Sequence, residues 1–299
     1  MRRALIAAAL ALAACGDMAP ESIGANPTAT LAPADLPAFF DCLREREQTA
    51  VSAHRGGPAP GYAENAVETF RRTIGHAPTF LEVDVSVTRD GALVLMHDDD
   101  VERTTDGRGA VSAMTLAEFQ ALRLQDESGA TLGQHPPSLR QALDWANGRA
   151  ILELDIKRSV AFEDVVREVE EAGAMGRVVF ITYSIDAASR LARLAPDAMI
   201  YTTISSPREL DLLERRGVDL RRIVAWVGTQ APDAALVEAL AARGVEARFG
   251  MFGGGRDYAN AIRARAQIVA VDDASEAVRD LDAADGEEGY AALQCLAAR

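Results

Sequence analysis

Phe80-Leu81-Glu82-Val83-Asp84-Val85 and Leu152-Glu153-Leu154-Asp155-Ile156-Lys157 decide the reading of this chain. Side chains alternate across a strand, so Leu81, Val83 and Val85 share one face of the first stretch while Glu82 and Asp84 share the other. The same rule sets Glu153, Asp155 and Lys157 on one face of the second. Carboxylates on a wet strand face need no explanation. In a strand covered on both sides they are costly unless a cation or a nearby base compensates.

The surrounding chain predicts such cover. Short β-rich runs recur at Ala50–Ala53, Phe80–Val87, Ala92–Met96, Ala150–Ile156, Val178–Thr182, Met199–Ile204, Ile223–Val227, Val245–Phe249 and Ile268–Val271, with helix-like segments such as Phe162–Ala172, Ala187–Leu194 and Asp233–Arg243 between them. This alternation implies parallel strands joined by right-handed crossovers. Gly173, Gly217 and Gly244 stand where helix C-caps are expected. A doubly wound sheet would show the same alternation, but no Gly-rich phosphate loop opens its first helix. The expected fold is therefore a single-domain (β/α)8 TIM barrel of the α/β class, for which 299 residues suffice. Nine runs for eight strands mean that one lies outside the sheet. Residues 98–138 are too long for a simple loop and read as a small insertion after the third strand, over the barrel mouth.

The ends carry an address. Met1-Arg2-Arg3 and the apolar run Ala4–Ala14 have the form of a signal peptide, and the ending Leu12-Ala13-Ala14-Cys15 resembles the bacterial lipobox. The expected organisation is a lipoprotein signal peptide over 1–14, an acylated Cys15 with a flexible tether over 15–45, and the barrel over 46–299. The protein would then be exported and held by its lipid on a bacterial membrane, facing the periplasm or the cell exterior. In that oxidising setting the remaining pair, Cys42 and Cys295, invites a disulfide joining the two ends of the folded part.

A formal net charge of −14 repels phosphate backbones and excludes nucleic-acid binding by a basic footprint. Any phosphate ligand needs a local positive centre, such as a divalent cation with a few placed basic residues. Glu82 and Asp84 with a third carboxylate on a nearby strand form an oxygen cage suited to Ca²⁺ or Mg²⁺. His54, in Ala53-His54-Arg55-Gly56-Gly57, and His97, in Met96-His97-Asp98, fall at the C-terminal ends of strands, the face where barrel enzymes place their active sites. Two histidines there suit general acid and base roles near neutral pH. Arg55 and Lys157 can hold phosphate oxygens.

These blocks closely resemble the glycerophosphodiester phosphodiesterase family. The resemblance runs through His54-Arg55-Gly56, Glu64-Asn65, Glu82–Val85, Thr88–Gly91, His97-Asp98, Arg103–Gly109, Leu116-Ala117-Glu118 and Pro137-Ser138-Leu139, strongest over about residues 50–160. It implies His54 and His97 as the catalytic pair, Glu82 and Asp84 as metal ligands, and Arg55 and Lys157 as phosphate binders. It also implies attack by a neighbouring glycerol hydroxyl, a cyclic phosphate, and glycerol 3-phosphate as product from a small glycerophosphodiester.

Two departures matter. Where the family usually has Glu-x-Lys on the fourth strand, this chain has Asp155-Ile156-Lys157, so Asp155 is the expected third ligand, with Glu153 as fallback. Many relatives carry Trp-Thr-Val-Asn on the seventh strand; here Ala247-Arg248-Phe249-Gly250-Met251-Phe252 stands instead, with Phe249 or Phe252 as the expected apolar wall of the pocket. His76 is assigned to structure, and Trp145 and Trp226 to packing. Rival readings are a phospholipase D or sphingomyelinase-like enzyme acting on lyso- or intact phospholipids, marked by an apolar collar at the mouth, and a catalytically silent binding lipoprotein.

Overall fold

The computed structural model describes residues 31–287 and 289–297. The expected signal peptide and Cys15 lie outside the described residues.

Strands β1 (Ala50–Ala53), β2 (Phe80–Val87), β3 (Leu93–Leu95), β4 (Leu152–Ile156), β5 (Val178–Ile181), β6 (Met199–Thr203), β7 (Ile223–Trp226), β8 (Glu246–Met251) and β9 (Ile268–Val271) form one sheet in the order β1-β9-β8-β7-β6-β5-β4-β2-β3. A parallel β1–β2 pairing, with Ser52 opposite Phe80, closes eight of these strands into a barrel. Its core of buried aliphatic and aromatic side chains lies inside the ring and between the ring and its helices.

The ninth strand is β3, which runs antiparallel to β2 with Leu95 opposite Val85. The run counted third in sequence is thus the surplus one, lying not outside the sheet as expected but at its edge beyond the closed barrel, and the insertion follows the second barrel strand. The cause is chain length. A parallel crossover needs a dozen or more residues, whereas β2 and β3 are joined by Thr88–Ala92 alone. That link is a tight turn in which the Gly91 N–H donates to Thr88 O at 3.0 Å and Gly91 takes φ +82. The insertion has its own small core of Val94, Met96, Val101, Val111 and Phe119.

The ordered body also begins earlier than residue 46. Helix α1 (Leu36–Glu45) is N-capped by Asp35, whose carboxylate accepts the Ala38 N–H at 3.0 Å. Its Leu36, Phe39, Phe40 and Leu43 recur at helical spacing and are fully buried or nearly so. They plug the N-terminal end of the barrel. Phe40 packs edge-to-face on Phe80 of β2 and Tyr201 of β6, at centroid distances of 5.9 and 6.4 Å. The reading of 15–45 as tether is corrected here for the part that forms α1. A disulfide joins Cys42 of α1 to Cys295 in the C-terminal turn, with Cα atoms 5.7 Å apart. In that same segment the Tyr290 hydroxyl accepts the Val51 N–H of β1 at 2.7 Å.

Above the plug, Glu153 of β4 accepts Arg248 Nη2 of β8 at 2.8 Å, Ser52 Oγ at 2.6 Å and Tyr201 Oη at 2.9 Å. The Arg248 guanidinium lies over the rings of Tyr201 and Trp226, at 4.8 and 5.1 Å. Charge in this layer is balanced inside the barrel, and Glu153 is fully engaged.

If α1 is a structural plug, Phe40→Ala should cost about 3–5 kcal/mol in urea unfolding. Removing the disulfide as Cys42→Ala/Cys295→Ala should cost about 2–4 kcal/mol. Values near zero for both would show that the barrel stands without its plug.

Candidate active site

β1 ends in a turn that fixes two of the expected residues. Arg55, Gly56 and Gly57 take φ of +51, +80 and +79 in succession. A side chain on Gly56 would meet the Phe70 ring of α2 (Val67–His76) at 2.2 Å, so this position requires glycine. Thr73 of α2 donates to Gly56 O at 2.7 Å, and the Arg55 N–H donates to Glu82 Oε2 at 2.7 Å. The turn thereby ties His54 and Arg55 to both a helix and a strand.

His54 Nδ1 is paired with Asp272 Oδ1 at 2.8 Å, just past β9, while Asp272 Oδ2 accepts the Gly253 N–H at 2.8 Å. The hydrogen bond from His54 holds the Asp272 carboxyl below its ordinary range. The Phe252 ring covers the imidazole at a centroid distance of 4.8 Å. His97 reaches the mouth by another route. β3 leads the chain back alongside β2, and the Met96 N–H donates to Asp84 O at 3.0 Å. His97 Nδ1 pairs with Asp98 Oδ1 at 2.6 Å. Asp98 is held down to about 2, first by the hydrogen bond from Arg103. Arg103 also grips both oxygens of Glu64 at 2.8 Å, and Glu64 Oε2 accepts Arg55 Nη1 at 2.9 Å. A continuous chain of hydrogen-bonded side chains therefore links His97 to Arg55. Both imidazoles have Nδ1 engaged by a carboxylate, which fixes ring orientation and leaves Nε2 for other work.

Between them stand Glu82, Asp84 and Asp155. One carboxylate oxygen from each lies within 4.8 Å of the others, and all three residues are buried. Asp84 Oδ2 accepts Asn65 Nδ2 at 2.8 Å, and Lys157 Nζ bridges Asp84 Oδ1 at 2.6 Å and Asp155 Oδ2 at 3.0 Å. Burial, then the charges of Asp84 and Asp155, push the Glu82 carboxyl well above its ordinary range. Burial works against the Lys157 ammonium, yet Asp84 and Asp155 hold it above its usual value. One ammonium thus bridges part of a trio of acids.

His54, Arg55, Glu82, Asp84, Asp155, Lys157 and His97 are brought together, and Glu153 is not in the group. Phe249 is also outside it. Arg248 and Gly250 point inward, so alternation along β8 turns Phe249 out into the helix-facing core, where it is 2% exposed. Phe252 is the residue that lines the cavity, which measures about 160 Å³. Trp226, assigned to packing, lines it as well, with Tyr183 and Arg248. Sequence reasoning missed Asp272, Tyr183 and Arg103 as members of the site. The first two lie within two residues of the C-terminal ends of barrel strands, where position alone could have flagged them.

Comparison with known proteins covers the same part of the chain. The sequence model of the glycerophosphoryl diester phosphodiesterase family matches residues 54–250. A glycerophosphodiester phosphodiesterase of Caldanaerobacter subterraneus subsp. tengcongensis is 28% identical over 160 residues, covering 51% of this chain and 65% of that protein. The chain thus spans just under two thirds of that relative's length. A solved glycerophosphoryl diester phosphodiesterase from Parabacteroides distasonis superposes with a TM-score of 0.77 at 27% identity, over 85% of this chain and 94% of that one. An Oleispira antarctica phosphodiesterase in complex with the product sn-glycerol-3-phosphate shares the fold, with a TM-score of 0.62 at 20% identity over 80% and 99% of the two chains. With two His–carboxylate pairs flanking buried acids at the barrel mouth, and with most of the chain inside the matched region, this protein belongs to the glycerophosphoryl diester phosphodiesterase family.

Proposed function

We propose that this chain hydrolyses glycerophosphodiesters to glycerol 3-phosphate and an alcohol, with a divalent cation. The observation that carries the reading is the buried Glu82–Asp84–Asp155 trio beside the His54–Asp272 pair. Its donors are hard carboxylate oxygens, which suit Ca²⁺ or Mg²⁺. Three buried acids share the single Lys157 ammonium, so the residues fit a cation. When bound, it would neutralise charge on the phosphoryl oxygens.

The chain's own groups supply the rest. Arg55 and Lys157 hold the non-bridging phosphate oxygens. The Nε2 of one histidine takes the proton of the neighbouring glycerol hydroxyl as its oxygen bonds to phosphorus. The Nε2 of the other gives a proton to the departing alcohol as its P–O bond breaks. Water then opens the cyclic phosphate with the roles reversed. Asp272 and Asp98 keep each ring oriented throughout, as the buried acid does in a serine-protease triad. A mere binder has no use for two such pairs. The lipid-acting reading lacks its expected apolar collar: among the described residues the exposed large hydrophobics are Tyr183 and Leu194. Export and anchoring through Cys15 remain part of the proposal, and the Cys42–Cys295 disulfide supports an oxidising compartment.

The chain from Gly16 onward should release glycerol 3-phosphate from glycerophosphocholine with Ca²⁺ or Mg²⁺ and cease in EDTA, and His54→Ala should lose about 10²–10⁴-fold in kcat. A folded protein inactive with either ion on several glycerophosphodiesters would refute the reading. Arg103→Ala should lower kcat by roughly 10-fold or more and shift the acidic limb of its pH profile, because it frees Asp98 and Glu64 together. An unchanged profile would limit Arg103 to a structural role.

A further inference from the structure

The three clustered carboxylates are held by different parts of the chain. Glu82 accepts the Arg55 N–H and Asp84 accepts Asn65 Nδ2, both from the segment that follows β1. Asp155 has no holder from that segment. Its Oδ1 accepts the hydroxyl of Tyr183 at 2.6 Å, and its Oδ2 accepts Lys157 Nζ at 3.0 Å. Tyr183 lies two residues beyond Ile181, which is the neighbour of Asp155 in the β4–β5 register. Its side chain therefore leaves the rim on the same side as that of Ile181, toward the cavity that both residues line.

Packing does not account for this placement. Tyr183 is 65% exposed, the most exposed large hydrophobic residue among those described. An exposed tyrosine ordinarily leaves its hydroxyl to water, whereas this one turns back onto a buried acid. Torsion about χ2 can swing the Asp155 carboxylate, and a donor fixed to one oxygen removes that freedom before a ligand arrives. Tyr183 differs from Lys157 in one respect that matters here. The Lys157 ammonium occupies Oδ2 and opposes a second cation, while a neutral hydroxyl on Oδ1 adds no charge and has no reason to leave.

We propose that Tyr183 is a positioning residue: its hydroxyl fixes the Asp155 carboxylate so that this acid is presented, with Glu82 and Asp84, to a divalent cation. This rests on the reading of the trio as a cation site. Hydrogen-bond partners that orient a metal ligand change metal affinity by about 10–100-fold, and an effect of that size is expected here.

The test uses the full chain stripped of metal with a chelator. Ca²⁺ is titrated by calorimetry and Tb³⁺ by luminescence, into the wild type, Tyr183→Phe, Asp155→Asn and the double variant. Tyr183→Phe keeps the ring and removes only the hydroxyl. It should weaken both ions about 10–100-fold where Asp155 is present and change nothing in the Asp155→Asn background. The melting temperature of the metal-free protein should stay unchanged, and kcat should return toward wild type at saturating Ca²⁺. Wild-type affinity in Tyr183→Phe, or an equal loss in both backgrounds, would overturn the assignment while the cation site stood. A wild type that binds neither ion would take down both.

Discussion

Mutual repulsion of three carboxylates in a space too dry to dissolve it is the constraint around which this molecule is arranged. Glu82, Asp84 and Asp155 face one another at the mouth of the barrel, each nearly cut off from water. Charges left so would destabilise the fold or take up protons. The chain answers with one neutral donor on each acid, an ammonium across two of them, and two guanidinium groups tied to Glu64 alongside. What remains uncompensated is negative charge that a cation could meet.

The barrel interior can be followed upward as a change of chemistry from layer to layer. At the bottom Phe39, Phe40 and Phe80 form an aromatic seal. Next, Arg248 and Glu153 form a buried pair with every oxygen of the acid engaged. Only the uppermost layer has charge to spare. A closed layer beneath the reactive one prevents Glu153 from competing for a role that its sequence position would allow.

Much of this was legible in the sequence, for a physical reason. Period-two alternation in β2 and β4 carries acids on one face and aliphatic residues on the other, and no other regular structure accommodates both. The strand-helix repetition and the charge-bearing positions at strand ends were equally plain. The misreadings have local causes. β3 has the composition of a barrel strand, and only the shortness of Thr88–Ala92 reveals its direction. Helix α1 sits behind a Pro- and Ala-rich stretch that masks the Leu36, Phe39, Phe40, Leu43 stripe. Phe249 and Phe252 could not be ranked without the phase of β8, which Arg248 sets by pairing inside the barrel. Tyr183 gave no signal beyond its place, because its partner is remote in sequence.

The aromatic plug has a consequence for how the molecule faces the world. The chain enters at the sealed end, where residues 34–38 border the loops that precede β5, β6 and β7. The reactive mouth opens at the opposite pole. The sealed base and the reactive mouth are therefore separate ends of one barrel, and the chain is held together at the first while it works at the second. Loops at the mouth can vary in sequence without loosening the seal on which the barrel closes.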